Sequence, residues 1–525
     1  MANAPSAEYS GTMIATNAAW IGSTAMTPIS NESALKGVEF IRPELLKRLG
    51  QYQLIEDCLE GELAVKNATT KYLPMVDAHD LTQENLARYS STLTRAVFYN
   101  VAQVTLQGLI GQVFLVEPEV KVPTLLDPVL KDANGNGVPM LQLAKAVEEQ
   151  VLAKGRAGIF IDFPKTVGPV SREAQLTGAI RPLVSHYRAE NITNWRTQAR
   201  NGKVELTLVV LRELRETNDD GFVAEFEIQY RVLRLVLGLY QQEIWQGKDG
   251  KFDLVDTIKP LDSKGQRLTN IPFTFVGSDD NTPDVAIPPM YSLCSLNMAH
   301  YRNSAEHEES VFMTGQATPV VSGLTEQWVE KVMGGKVKLG SYGGIMLPEG
   351  GTATLLQMQE NSAAFQGMEH KERQMIALGA KLVEQKSVQR TATEASQDKS
   401  SEDSVLTTVT KNVSAAVRFA LEWCSIFAGS TTVAADAAND NAIVYELNTD
   451  FDIVAMGPEQ AKVFIDAWQK GAIAYEEMRI GLDKANMTSL AAEDAKTKID
   501  TEAQDAADFE KKNTIDGPEF PGGGE

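Results

Sequence analysis

The chain has 525 residues, 43% of them hydrophobic, and its 49 basic against 70 acidic side chains leave a net charge of −21. That length exceeds one core, so several subdomains are expected; the charge has the wrong sign for a sequence-specific duplex binder, whose affinity comes largely from neutralising phosphates. The apolar runs fall short of the roughly 18 residues of a membrane span, and Met1 to Ser10 lacks a basic start ahead of an apolar block, so no secretory signal is expected.

Residues 1–40 are rich in Ala, Ser, Thr and Asn and carry no clear period, which predicts an arm that orders only against a neighbour, if at all. From Pro43 to Phe114 the pattern is mainly helical, with a loop at Tyr72-Leu-Pro74. Lys131 to Gly137 reads as a turn, Met140 to Ala153 as a helix, and Gly158 to Phe163 as a buried strand. Between 180 and 277, Val204 to Arg212, Glu225 to Arg234, Tyr240 to Trp245 and Phe273 to Val276 alternate between Gly, Asn and Asp turns, the signature of a β-meander. With the earlier helices this predicts an α+β domain over 41–286.

After Pro288-Pro289, Leu293, Leu296, Tyr301, Ala305 and Phe312 recur at three- and four-residue steps, so 291–313 is a predicted helix, roughly 35 Å long at 1.5 Å per residue. Gly315 ends it. The stretch 315–358 holds a short helical piece, Glu326 to Met333, and Gly-separated apolar clusters that suggest short strands. A second helix is predicted over Ser362 to Leu382, with Phe365, Met368, Met375, Ile376 and Leu382 on one apolar stripe and Glu369, Lys371 and Arg373 off it. The segment 384–404 is wholly polar, with Lys386, Gln389, Arg390, Thr391, Thr393, Glu394, Gln397 and Lys399 in mixed charge order, and so faces water outside or in a channel. Ser404 to Phe427 is a strong helical pattern, and Ile443 to Leu447 is a strand expected to return to the large sheet. Gly457-Pro-Glu459 caps a helix predicted over Gln460 to Gly471, another lies near Tyr475 to Leu482, and the chain ends in a frayed tail.

Motifs of catalysis are missing from the sequence. There is no Gly-x-Ser-x-Gly elbow, and Gly334-Gly-Lys336 lacks both the upstream glycine and the following Ser or Thr of a phosphate loop. His307-Glu-Glu-Ser-Val311 ends in Val where a zinc helix needs His, and His300 and His307, seven apart, read as polar helix surface. Asp132 to Gly137 opens like a calcium loop, but Leu143 stands at the twelfth position, so a plain turn is expected. Cys58, Cys294 and Cys424 are an odd, widely spaced set, which suits neither a disulfide framework nor a zinc site and points to a reducing cytosol.

Several stretches carry a family resemblance: Lys71-Tyr-Leu-Pro74, Arg88-Tyr-Ser-Ser-Thr-Leu-Thr-Arg-Ala-Val-Phe-Tyr-Asn100, Gly108-Leu-Ile-Gly-Gln-Val-Phe114, Lys154-Gly-Arg-Ala-Gly-Ile-Phe-Ile-Asp-Phe-Pro164 and Asn297-Met-Ala-His-Tyr-Arg-Asn-Ser-Ala-Glu306. In this order, over about residues 40 to 480, the chain resembles one branch of tailed-bacteriophage portal proteins, the head-to-tail connectors of the capsid vertex. The resemblance implies a portal-type α+β fold. Its parts are a wing over 41–286, stem helices over 287–314 and 359–383, a small α/β clip over 315–358, a tunnel loop over 384–404, a long helix returning to the wing over 405–458, and a helical crown with a flexible tail over 459–525.

The same resemblance implies a non-enzymatic subunit of a twelve-membered ring in the virion, assembled in the host bacterial cytoplasm, with no cofactor, metal or membrane contact. Implied partners are other copies of the chain, double-stranded DNA passing without sequence specificity, the terminase large subunit, a head-tail adaptor, and the major capsid and scaffolding proteins. Lys386, Gln389, Arg390, Thr391, Thr393, Glu394, Gln397 and Lys399 would line the tunnel, and Lys331, Lys336, Lys338 and Tyr342 of the clip would meet the motor or adaptor. Twelve copies would carry about 250 negative charges, which discourages DNA from sticking to the wall, although a merely acidic surface gives the same balance. A multidomain enzyme without a recognisable motif and a different virion ring, such as an adaptor, remain open alternatives.

Overall fold

A computed structural model of the chain describes residues 36–163, 178, 180–200, 202–219, 222–248, 251–262, 265–315, 318–331, 347–356, 362–383, 404–428, 443–449, 451, 465, 496–499 and 501. Residues 1–449 form one compact unit and 450–525 a second, in which no complete element is described. The helices predicted over 460–471 and 475–482 therefore lie outside the described residues. The described fold is α+β, as the patterning predicts.

Helix α1 (Pro43–Glu60) starts on a proline, whose fixed φ suits the first turn, and buries Leu45, Tyr52, Ile55 and Cys58. Helices α2 (Glu62–Asn67), α3 (Gln83–Arg95) and α4 (Val101–Val113) follow. Side-chain caps start the last two: Thr82 accepts from the Asn85 amide at 3.4 Å, and Asn100 from the Gln103 amide at 3.1 Å. Next come β1 (Glu119–Lys121), α5 (Asp127–Lys131) and α6 (Met140–Lys154). Gly155 ends α6 at φ +75°, a conformation that favours glycine, and a Cβ there would meet the Ile287 carbonyl at 3.2 Å.

Two antiparallel sheets carry most of the described strands. The smaller has the order β3 (Leu183–Arg188), β2 (Arg156–Asp162), β9 (Phe273–Gly277). Gly158 is required within β2, because a Cβ would lie 2.4 Å from the Phe273 ring and 2.8 Å from Ile192. The larger is a meander of five strands in sequence order: β4 (Ile192–Arg200), β5 (Lys203–Asp219), β6 (Ala224–Val236), β7 (Leu239–Lys248) and β8 (Lys251–Ile258). The sequence pattern predicts β5, β6 and β7 but not β4 and β8, the two edges, whose side chains do not alternate as cleanly. On one face Val210, Tyr230 and Val232 form a core cluster with Trp245 and Phe252 packed against it.

A buried polar network joins the sheets. Arg231 Nε donates to Glu213 at 2.8 Å and Nη1 to Gln242 at 3.0 Å, and Nη1 is 3.7 Å from Asp162 of the smaller sheet. Glu213 also accepts from the Tyr187 hydroxyl at 2.6 Å and from Gln229 at 2.7 Å. Burial pushes the Asp162 carboxyl up, although the Arg231 charge pulls it back down. Satisfying each charge in this way is what makes their burial tolerable.

The rest of the first unit is helix α7 (Tyr291–Thr314), β10 (Thr318–Ser322), α8 (Glu326–Lys331), β11 (Thr352–Leu356), α9 (Ala363–Val383), α10 (Val405–Ala428) and β12 (Val444–Glu446). Along α10, Leu406, Val409, Val413, Ala416, Val417, Ala420, Leu421 and Cys424 recur at helical spacing and are buried against α6, β2 and β9. Phe427 stacks on Phe163, rings 5.0 Å apart and 2° from parallel. The strand expected to rejoin the large sheet does not: β12 pairs with β1, Tyr445 opposite Val120, in a separate two-stranded ribbon. With only three residues it completes the nearest short strand instead of extending a long one. Asp132 spends its carboxylate on Arg181 and on the Gly135 amide at 2.8 Å, which makes 132–137 a plain turn.

Candidate functional site

Helices α7 and α9 run antiparallel and carry the β10–α8–β11 insert between them. The direction follows from three contacts: His300 Nε2 lies 3.2 Å from Glu372, Asn303 lies where a Cβ on Gly367 would be 2.5 Å from its amide nitrogen, and the His307 and Phe365 rings are 5.6 Å apart. Gly367 thus permits the helices to approach closely. In the insert β10 and β11 pair antiparallel, with Ser322 opposite Thr352 and their hydroxyls 2.7 Å apart.

The root of α7 is fixed by directional bonds. Asn297, fully buried, accepts from the Val101 and Ala102 amides at 3.1 Å each and donates to the Tyr99 carbonyl at 2.9 Å. It thereby satisfies two of the orphan donors at the start of α4. One turn pair further on, Ser304 donates to the Val97 carbonyl at 2.6 Å and accepts the Val97 amide at 3.0 Å. Tyr301 packs edge-on against Phe98 at 5.9 Å. Segment 97–102 is therefore gripped by successive turns of one face of α7, and all but residues 101 and 102 belong to the two stretches, 88–100 and 297–306, that carry the resemblance.

Beyond Ala305 the character changes. Val311, Phe312 and Met313 are exposed at the far end of α7, while Arg95 lies over the Phe312 ring at 4.2 Å and Arg88 pairs with Glu309 at 2.7 Å. On α9 the predicted apolar stripe splits: Met375 is fully buried, but Ile376 is 70% exposed and Phe365 44%. Residues 375 and 376 are about 100° apart around a helix, so one helix partner cannot cover both. The expectation that His300 is polar helix surface is also corrected. His300 is 2% exposed and faces Glu372, because it shares the inward face with Asn297, Tyr301 and Ser304. Polar residues at 297, 300 and 304 inside the apolar series 293, 294, 298, 301 and 305 were the available signal, since a polar group on a core face needs a partner.

Of the residues named from sequence, Lys331 lies exposed at the end of α8. Lys336, Lys338 and Tyr342 lie outside the described residues, as do Lys386, Gln389, Arg390, Thr391, Thr393, Glu394, Gln397 and Lys399. Among the described residues no group of three or more His, Cys, Asp or Glu could hold a metal ion, and no helix is long and apolar enough to cross a membrane. Cys58 of α1 and Cys294 of α7, distant in sequence, lie side by side as buried free thiols, and the thiol of Cys58 is pushed well up by this contact and by burial.

The model of a domain of unknown function, DUF4055, matches residues 289–428, from the start of α7 to the end of α10. A solved chain from the virion of native gene transfer agent (GTA) particle is similar at 14% identity and a TM-score of 0.39, over 75% of this chain and 92% of that one. No curated protein matches.

Proposed function

We propose that this chain is a phage portal protein, a subunit of a ring through which DNA enters and leaves the capsid at one vertex. The observation that carries the reading is the antiparallel α7–α9 pair, rooted in an α+β body and bearing a small strand-paired insert, with the polar segment 384–403 directly after α9. That order is what the resemblance to portal proteins implies for stem, clip, stem and tunnel loop. Ile376, 70% exposed, and the open part of the Phe365 ring beside His307 are surfaces for a neighbouring stem.

The work of such a protein is mechanical. ATP hydrolysis belongs to the terminase; this chain nucleates head assembly, docks the motor, then holds an adaptor and tail and lets DNA leave. Lys386, Arg390 and Lys399 are interspersed with Glu394, Asp398 and Glu402, so the tunnel segment offers weak, exchangeable phosphate contacts in place of a basic clamp. Lys331, Lys336, Lys338 and Tyr342 face the motor or adaptor.

Mass photometry tests the reading. Twelve copies of the 57.3 kDa chain give a particle of about 690 kDa, with a central hole in negative-stain images. A monomer or dimer that persists at high concentration refutes it. Deleting 315–358 is expected to abolish terminase docking while leaving rings, and docking that survives the deletion removes the clip assignment.

A further inference from the structure

The five-stranded sheet ends in two open edges of opposite charge. On one side β8 reads Lys251-Phe-Asp-Leu-Val-Asp-Thr-Ile258, pairs only with β7 among the described residues, and is exposed along most of its length. Edges of this kind are usually blunted by proline, by charge, by a bulge or by a covering loop. β8 has no proline; a register shift opposite Ile244 and Trp245 leaves Val255 as a bulge, and Leu254 and Val255 are 47% and 60% exposed. On the other side the first half of β4 is covered: Thr193 accepts from the Arg42 amide at 3.0 Å and Trp195 from the Arg42 guanidinium at 2.9 Å. The second half, Arg196-Thr-Gln-Ala-Arg200, is exposed and pairs only with β5 among the described residues.

Charge selects which edges meet. The open half of β4 carries Arg196 and Arg200, and β8 carries Asp253 and Asp256 against one lysine, Lys251 at its start. Arg196, Arg200 and Asp253 have no ion-pair partner among the described residues. If β8 paired with β8 of another copy about its centre, Asp253 would face Asp256; β4 paired with β4 would set Arg196 against Arg200. Like charges directly opposite destabilise a strand pair, whereas opposite charges support it. The two self-pairings that close a dimer are therefore disfavoured, and the head-to-tail pairing, which builds rings, is favoured.

We propose that the open half of β4 in one copy pairs with β8 of the next, so that the sheet runs on from subunit to subunit; this rests on the ring reading above. Four successive antiparallel steps separate β4 from β8, so the two edges point the same way. Equivalent copies then meet in a parallel junction, the arrangement that a rotation axis generates. Five residues of strand pairing bury far less than the roughly 1,200 Å² of a stable interface. The junction accordingly fixes direction and neighbour, and the remaining area comes from other contacts of the ring.

The test combines charge reversal with crosslinking on the full chain. Arg196→Glu with Arg200→Glu is expected to raise the half-assembly concentration about tenfold, with unchanged circular dichroism, and adding Asp253→Lys to the same chain is expected to restore part of the loss. In parallel, a chain with Ala199→Cys and Val255→Cys, treated with a short bismaleimide whose reach tolerates a slip of a residue or two, should give a ladder of covalent oligomers. Each single cysteine alone should give none, and the native chain should give none because Cys58, Cys294 and Cys424 are buried. Dimers from a single-cysteine chain would overturn the proposal in favour of self-pairing edges. Wild-type rings with neither a reversal effect nor a ladder would overturn the edge pairing and leave the ring reading standing, while a wild-type monomer would overturn both.

Discussion

Glu148 is a carboxyl group lodged between α6 and α10, fully buried, where burial raises its pKa from 4.5 to about 8. The hydrogen bonds agree with a neutral acid. The Thr410 hydroxyl has two acceptors within reach, the Leu406 carbonyl at 2.8 Å and Glu148 at 2.9 Å, but only one proton to give. A protonated Glu148 that donates to Thr410 lets Thr410 donate to Leu406, and both bonds are made. Because the folded-state pKa lies above the unfolded one, the folded chain binds the extra proton, and stability falls as pH rises from about 4.5 to about 8. At about 1.4 kcal/mol per pH unit, the cost at pH 7 is about 3 kcal/mol. The side-chain amide introduced by Glu148→Gln can donate to Thr410 in the same way without titrating. Denaturant melts at pH 5, 6, 7 and 8, followed by hydrogen exchange in α6 and α10, should show the variant and wild type together at pH 5 and the variant more stable by about 3 kcal/mol at pH 7. Parallel pH profiles for the two chains would refute the reasoning.

Asn297→Ala removes the acceptor of the Ala102 amide and one of two bonds at both the Val101 amide and the Tyr99 carbonyl, which keep each other at 2.9 Å, and is expected to cost about 1–3 kcal/mol, read as a lower unfolding midpoint and faster exchange at the start of α4. Arg231→Met strands the buried Glu213 carboxylate and should cost about 3–5 kcal/mol in the same assay, while Arg231→Met with Glu213→Leu recovers much of that. Lys386, Arg390 and Lys399 changed together to Glu should leave ring formation by mass photometry unchanged and slow DNA translocation in a packaging assay; loss of the ring would assign 384–403 to subunit contacts instead.

Much of the fold was legible from periodicity. The predicted helices 291–313, 362–382, 140–153 and 404–427 became Tyr291–Thr314, Ala363–Val383, Met140–Lys154 and Val405–Ala428, because each has a wide apolar face and sharp ends such as Gly155. The strands whose side chains alternate were legible for the same reason. What escaped notice was set by tertiary partners. β4 and β8 are edges, half solvated on both faces, so no period of two marks them; β12 is too short to show where it pairs. His300 looks like surface in a sequence where Glu372, seventy-two positions away, is invisible as its neighbour. The same blindness hid the contact between Cys58 and Cys294, since spacing along the chain says nothing of two helices that cross.

The grip on the first half of α7 has a mechanical consequence. Hydrogen bonds from Asn297 and Ser304 resist sliding and rotation because they are directional and buried, whereas toward Val311 to Met313 the helix is held by solvent-facing contacts to α3, the Arg88–Glu309 pair and Arg95 over Phe312. The helix is thus a beam clamped firmly at its root and braced more weakly toward its tip. A displacement of the insert would be taken up by the outer turns and by α3, which touches them, before it reached the buried root at 97–102.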